Sequence, residues 1–344
     1  MSFKRLDQED IVISADSITA PAWSNNKTTL ISFFTSSAQV SRTSGDYYFN
    51  VYKDNFAQTA SADIQFSLAY GNLNGSGSIP FNPGVTGYAP SQVVYKQFRN
   101  LINGTEETNL SFAGTTVKSV YAISVERARF KEKLLPGSLL LTLATTAGTM
   151  SLTDNSNYVT TVTYGDSGRE FELVSASSGG VRVTTNNGLD GINGYNVVSG
   201  SYGKFLPDIG VILLNGDALD LAPVSGGISL GTSTSIVSNG VNTTKAFNAI
   251  DTGNNFTLRS EETVSSNYIF VRARNSEFNY STNPSNITGS GELRHNVMID
   301  TPQGYITSVG LYNDNNDLLG IAKLSRPLLK DFTKEALIRV KLDY

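Results

Sequence analysis

The chain has 344 residues, of which 39% are hydrophobic and only 16% charged, with a formal net charge of −4. Ordinary soluble domains carry about a quarter charged residues, so polarity here comes from Ser, Thr, Asn and Gly. The acidic balance argues against a large basic surface for nucleic acid or anionic lipid. Zero cysteines exclude disulfides, thiolate metal sites and a cysteine nucleophile.

In chain order, "MSFKRLDQEDIVISAD" opens without a signal-peptide apolar core. No apolar stretch approaches the roughly 20 residues a membrane helix needs. We therefore expect a soluble, non-exported chain with no membrane insertion. The first thirty residues are polar with scattered apolar anchors, among them Trp23, and read as an arm that could lie across a neighbouring subunit. Gly, Asn, Ser and Thr clusters then break the chain every ten residues or so, with Val, Ile, Tyr, Phe and Thr between them. That spacing predicts a mainly β protein, β-sandwich-like with few short helices and a minor α+β character.

Strands are expected at Tyr47–Tyr52, Asp63–Ala69, Val117–Val125, Ser138–Leu143, Tyr158–Tyr164, Arg169–Val174, Gly210–Leu214 and Tyr268–Ala273. The best helix is "APSQVVYKQFRNLIN". Pro90 suits its first turn, Val94, Phe98, Leu101 and Ile102 make an apolar face, and Gly104 stops it. Shorter helices are expected near 245–251 and 331–336. In the closing "ALIRVKLDY", Ile338, Val340, Leu342 and Tyr344 alternate with Leu337, Arg339, Lys341 and Asp343, so one face is buried. Three domains are expected: residues 1–145 with the arm and one helix, a charge-poor β insertion at 146–235, and a C-terminal β domain at 236–344.

Chemical motifs are weak. "GDSG" at Gly165–Gly168 matches a serine-protease nucleophile segment, but that chemistry needs a histidine base. The single histidine, His295, comes late in the chain and reads as structural or surface. The bland reading of the motif is a hairpin turn. The carboxylate pairs Glu106-Glu107, Glu261-Glu262 and Asp217/Asp220 sit in polar surroundings and read as solvated loops. "GNLNGSGSIPFNPG" lacks a phosphate-loop ending and reads as a flexible surface loop. "ERARFKEK", holding Arg127, Arg129 and Lys131, reads as a solvated short helix or interface rim.

Near the C-terminus, "YITSVGLYNDNNDLLGIAKLSRPL" places Asn313-Asp314-Asn315-Asn316-Asp317 between two apolar runs. Tested as a calcium loop from Asp314, it fails at Leu318, Leu319 and Ser325. It reads instead as a hairpin tip, with Pro327 ending the second strand. We expect no cofactor and no metal. The candidate functional residues are therefore interface residues chosen for exposure: Trp23, Tyr95, Arg99, Arg127, Arg129, Lys131, Asn313, Asp314, Asn316 and Asp317.

Seven blocks carry a resemblance. "DYYFNVYKDN", "ADIQFSLAYGNLNGSGS", "PSQVVYKQFRNLI", "ERARFKEKLLPGSLLLTL", "YGKFLPDIGVILLNGDALDL", "NYIFVRARNSEFNYSTNPSNITGSGELRH" and the C-terminal forty residues together resemble a virion structural protein family of large tailed phages, the T-even-like marine myoviruses. "TSVGLYNDNNDLLGIAKLSRP" is similar to a strand–turn–strand of tail-fibre and baseplate attachment domains, with Ser308 where that pattern has an acidic residue. The resemblance implies a non-catalytic, wedge-type baseplate component, made in the host cytoplasm and located in the virion tail. Its implied partners are copies of itself and other tail proteins, with no nucleic acid. Neck, collar or capsid-decoration placement stays open. A receptor- or glycan-binding tip using Tyr195 and Tyr202, and a tail-associated glycan hydrolase, are the competing readings.

Overall fold

The computed structural model describes residues 5–20, 28–30, 48–53, 63–82, 88–104, 108–112, 114–182 and 202–343. The chain is mainly β and β-sandwich-like, with few helices. It divides into two compact units, one of residues 20–262 and one of residues 1–19 with 263–344.

In the 20–262 unit the strands are β2 (Thr28–Leu30), β3 (Tyr48–Tyr52), β4 (Ile64–Asn72), β5 (Ser111–Phe112), β6 (Thr115–Thr116), β7 (Ser119–Val125), β8 (Lys133–Leu134), β9 (Leu140–Ala144), β10 (Thr149–Asp154), β11 (Thr163–Gly165), β12 (Gly168–Ala176), β13 (Gly203–Leu206) and β14 (Val211–Asn215). Among the described residues the start of β15 (Asn255–Ala273) closes the list, and the β1 strand (Ile11–Ala20) lies almost wholly in the other unit. Side by side they run β15-β9-β10-β12-β13-β14-β7-β4-β3, and β11 pairs with β12. Every neighbouring pair along this path is antiparallel.

Period-two alternation sorts the side chains. Phe66, Leu68 and Tyr70 of β4, Tyr121, Ile123 and Val125 of β7, Leu141 and Leu143 of β9, and Ile212 and Leu214 of β14 all enter one buried cluster. Phe256 of β15 joins them and meets Phe66 edge-on at 5.3 Å between ring centroids. Each such fully buried side chain stabilises the fold by roughly 1.5–3 kcal/mol. The alternate residues Val120, Ala122, Val211 and Leu213 face the other way, into a second cluster with Tyr95 and Ile102.

Two helices seal these clusters. α1 (Pro90–Asn103) starts at Pro90 and ends where Gly104, at φ 63°, donates its N–H to Asn100 O. It lies so close to β4 that a β-carbon on Gly71 would stand 2.8 Å from Tyr95 N. Two short helices follow, α2 (Arg127–Phe130) and α3 (Gly216–Leu219). α4 (Val241–Gly253) buries Ala246, Phe247, Ala249 and Ile250 in the first cluster.

In the other unit, β1 and β18 (Ala336–Asp343) both pair with β15. A one-turn helix, α5 (Val297–Asp300), precedes a separate ladder of β16 (Gly304–Tyr312) and β17 (Leu318–Lys330).

Several expectations need correction. Most of 158–164 is not strand: Ser156–Tyr158 is a 3-10 turn and only Thr163–Gly165 pairs. Residues 331–336 form no helix, because Asp331 Oδ1 accepts from Thr333 N at 2.9 Å and sets a turn instead. Loop 71–82 is tied down by Asn72, whose Oδ1 accepts from Asn74 N and Ser76 N. Residues 149–154 and 168–176 are interior strands of the large sheet. As expected, GDSG is a hairpin turn, with Gly165 opposite Gly168 and the Ser167 hydroxyl donating to Leu101 O.

Candidate functional site

The β16–β17 hairpin pairs with no other strand among the described residues. Its tip closes on itself. Asn313 N donates to Asp317 O at 3.0 Å, Asp317 N to Asn313 Oδ1 at 2.7 Å, and Asn313 Nδ2 to Asp317 Oδ2 at 2.9 Å. Asn316 takes a left-handed φ of 64°, as Asn tolerates. The tip's polar atoms thus serve the turn, and among the described residues no cluster of three or more His, Asp or Glu side chains gathers to hold a metal.

The expected stop at Pro327 does not occur, and β17 runs on to Lys330. Ser308 pairs with Lys323, but Ile306 pairs with Leu328. The register thus skips over Leu324–Pro327, and a bulge absorbs the residue that cannot donate to a ladder.

One face of this ladder is apolar and wet. Gly310 pairs with Ile321, and Tyr312 with Leu318. The Tyr312 ring lies over Gly310, whose β-carbon would stand 2.8 Å from Tyr312 Cε2. On that face Ile321 is 64% exposed and Leu319 71%; elsewhere on β16, Tyr305 is 65% exposed. The unit also exposes Val12 and Ile13 on β1 and Leu337 on β18.

Two polar anchors hold the hairpin unit together. The Lys330 ammonium, wholly buried, donates to Asn279 Oδ1 at 2.8 Å, Asp331 O at 2.9 Å and Asn275 O at 3.0 Å. Burial pulls its pKa down despite nearby Asp331 and Glu277. Just before β1, the buried Asp10 carboxylate meets Arg272 Nε at 2.9 Å and Arg274 Nε at 2.8 Å. Burial alone would raise the Asp10 pKa, but hydrogen bonds from Arg274 and Arg272 hold it below its ordinary value.

The residues selected for exposure fare unevenly. Trp23 and Tyr195 lie outside the described residues. Asn313 is half-buried, while Asp314, Asn316 and Asp317 are exposed at the tip. Arg127 is exposed, with its guanidinium 5.0 Å from the Phe130 ring centroid. Arg129 is half-buried, and Lys131 is exposed with φ 58° as the cap of α2. Tyr95 and Arg99 are not exposed. Tyr95 is fully buried, donating to Val117 O at 2.7 Å and accepting from Leu110 N at 3.1 Å, so burial raises its pKa. Arg99 is 8% exposed and its guanidinium donates to Asn100 Oδ1. Both fall on the side of α1 that faces the second core cluster, where Tyr can bury its ring if its hydroxyl is satisfied.

Sequence reasoning missed a charged cluster in the 20–262 unit. Arg169 Nη2 reaches Asp208 Oδ1 at 2.7 Å and Glu261 Oε1 at 2.9 Å, and Lys204 Nζ meets Glu170 Oε2 at 2.6 Å. Burial alone would raise Asp208, but hydrogen bonds from Arg169 outweigh it and hold that carboxyl low. Nearby Glu172 is pushed up to about 7 by burial, with Lys204 opposing and Glu170 adding to the rise. Glu261 and Glu262 are therefore buried strand residues, not solvated loop. Asp217 and Asp220 are also engaged, accepting from Lys118 N and from Thr232. Glu106 and Glu107 lie outside the described residues. No helix among the described residues is long and apolar enough to cross a membrane.

Compared with protein-family models, curated proteins and solved structures, the chain matches none of them.

Proposed function

We propose that the chain is a structural subunit of a tailed-phage virion, placed in the tail baseplate, where it acts through protein–protein assembly. One observation supports this above others. The β16–β17 hairpin keeps Leu319, Ile321 and Tyr312 in water while both of its long edges stay without a further strand among the described residues. A two-stranded hairpin is marginal alone. Exposed apolar patches and open edges are what partner surfaces offer. The blocks similar to virion structural proteins give the class of partner: copies of this chain and other tail proteins. The glycan-binding reading loses one of its two residues, because Tyr202 is fully buried with its hydroxyl donating to Gly226 O at 2.7 Å.

The test is antibody labelling of intact virions, imaged by electron microscopy, with virion mass spectrometry alongside. Label at the distal end of the tail is the expected result. Label at the neck or capsid would overturn the baseplate placement, and absence of the chain from purified virions would overturn the structural role.

A further inference from the structure

A small pocket of about 20 Å³ lies where the starts of α1 and α4 meet the 71–80 loop. Pro90 and Ser91 line it from α1, Gly240, Asn242 and Thr243 from α4, and Tyr70 and Ser78 from the β4 side. Most of its polar side chains are already engaged. Ser78 Oγ donates to Ser91 Oγ and accepts from Ser91 N. Asn242 binds both backbone groups of Ser233, and Asn239 Oδ1 accepts from Ile79 N.

Thr243 differs. It is 4% exposed, it lines the pocket, and its hydroxyl makes no hydrogen bond among the described residues. The N-terminus of α4 is also open. Its cap residue, Gly240, has no side chain to offer, and the N–H groups of Val241, Asn242 and Thr243 meet no acceptor among the described residues. α4 has 13 residues, so its first turn presents aligned N–H dipoles that favour an anion.

We propose that this pocket binds a carboxylate, one oxygen of which accepts from the first-turn N–H groups of α4 and the Thr243 hydroxyl. Charge selects the ligand. The pocket is small, so an anion enters it by one oxygen. Besides burial, the Asp220 and Asp217 charges raise the Tyr70 pKa, and a field of that sign disfavours a dianion.

The experiment is amide NMR of the full chain at constant ionic strength, titrated separately with sodium acetate, N-acetyl-Gly-Gly and sodium phosphate. Saturable shifts at Val241, Asn242 and Thr243 with acetate are expected. Thr243→Val should weaken binding roughly fivefold, one hydrogen bond's worth, and Thr243→Ser should restore it. Tighter binding of N-acetyl-Gly-Gly than of acetate assigns the site to a chain terminus, and equal binding assigns it to a free small acid. Acetate shifts that do not saturate, equal affinity in Thr243→Val, or stronger binding of phosphate would each overturn the proposal. Should Thr243→Val fold poorly, the Thr243→Ser protein and the phosphate comparison still decide it.

Discussion

The ring of Tyr312 rests over the bare Cα of Gly310, two residues earlier on the same strand, so that the glycine gives the aromatic its seat on the exposed hairpin face. An added β-carbon at Gly310 would stand 2.8 Å from Tyr312 Cε2. Tyr312 is 47% exposed, so Gly310→Ala should change stability by less than about 1 kcal/mol. It should nevertheless redraw the apolar face. We expect near-wild-type thermal melting but weaker self-association by analytical ultracentrifugation. Unchanged association would remove this face from the assembly surface.

Arg169 bridges the half-buried Asp208 and the buried Glu261. Arg169→Met leaves both carboxylates without their cation and should cost about 3–5 kcal/mol. Adding Glu261→Gln to that variant should recover part of the loss. Urea unfolding of the single and double variants checks this, and additive losses would show that the three residues are not coupled.

Glu172 gives a pH dependence of unusual sign. Its pKa rises from 4.5 to about 7 on folding, so the folded chain binds more protons between those values. Stability should therefore fall as pH rises from about 4.5 to about 7, and stay reduced above. Glu172→Gln should stabilise the protein at pH 8 by about 2–3 kcal/mol and flatten that slope. Denaturant midpoints measured from pH 5 to pH 8 would show it; an identical slope in the variant would assign the effect elsewhere.

Asp10 has the opposite sign. Its folded pKa is depressed, so its contribution is present above its unfolded pKa and is lost as pH falls through the folded value. Asp10→Asn should mimic acid. Because Asp10 ties the start of β1 to Arg272 and Arg274, amide hydrogen exchange over residues 11–20 should speed up in the variant. Protection equal to wild type would mean that strand pairing alone holds β1.

The amino-acid pattern by itself determined the local elements. Turn-residue breaks around Val-, Ile- and Tyr-rich runs marked β4, β7 and β14, alternation marked β18, and Pro90 with Gly104 bounded α1, because composition, side-chain period and backbone freedom are properties of a few adjacent residues. The Asn- and Asp-rich tip of β16–β17 was legible for the same reason. Tertiary structure alone decided the partners. Glu261 looked solvated until the fold brought Arg169, 92 residues away in sequence, to its carboxylate. Tyr95 looked like a surface residue until β7 and β14 supplied the second core cluster around its ring. Pro327 looked like a strand end until a register shift let the ladder pass it by. Burial, ion pairing and pKa depend on what distant segments place beside a residue, and no local period encodes that.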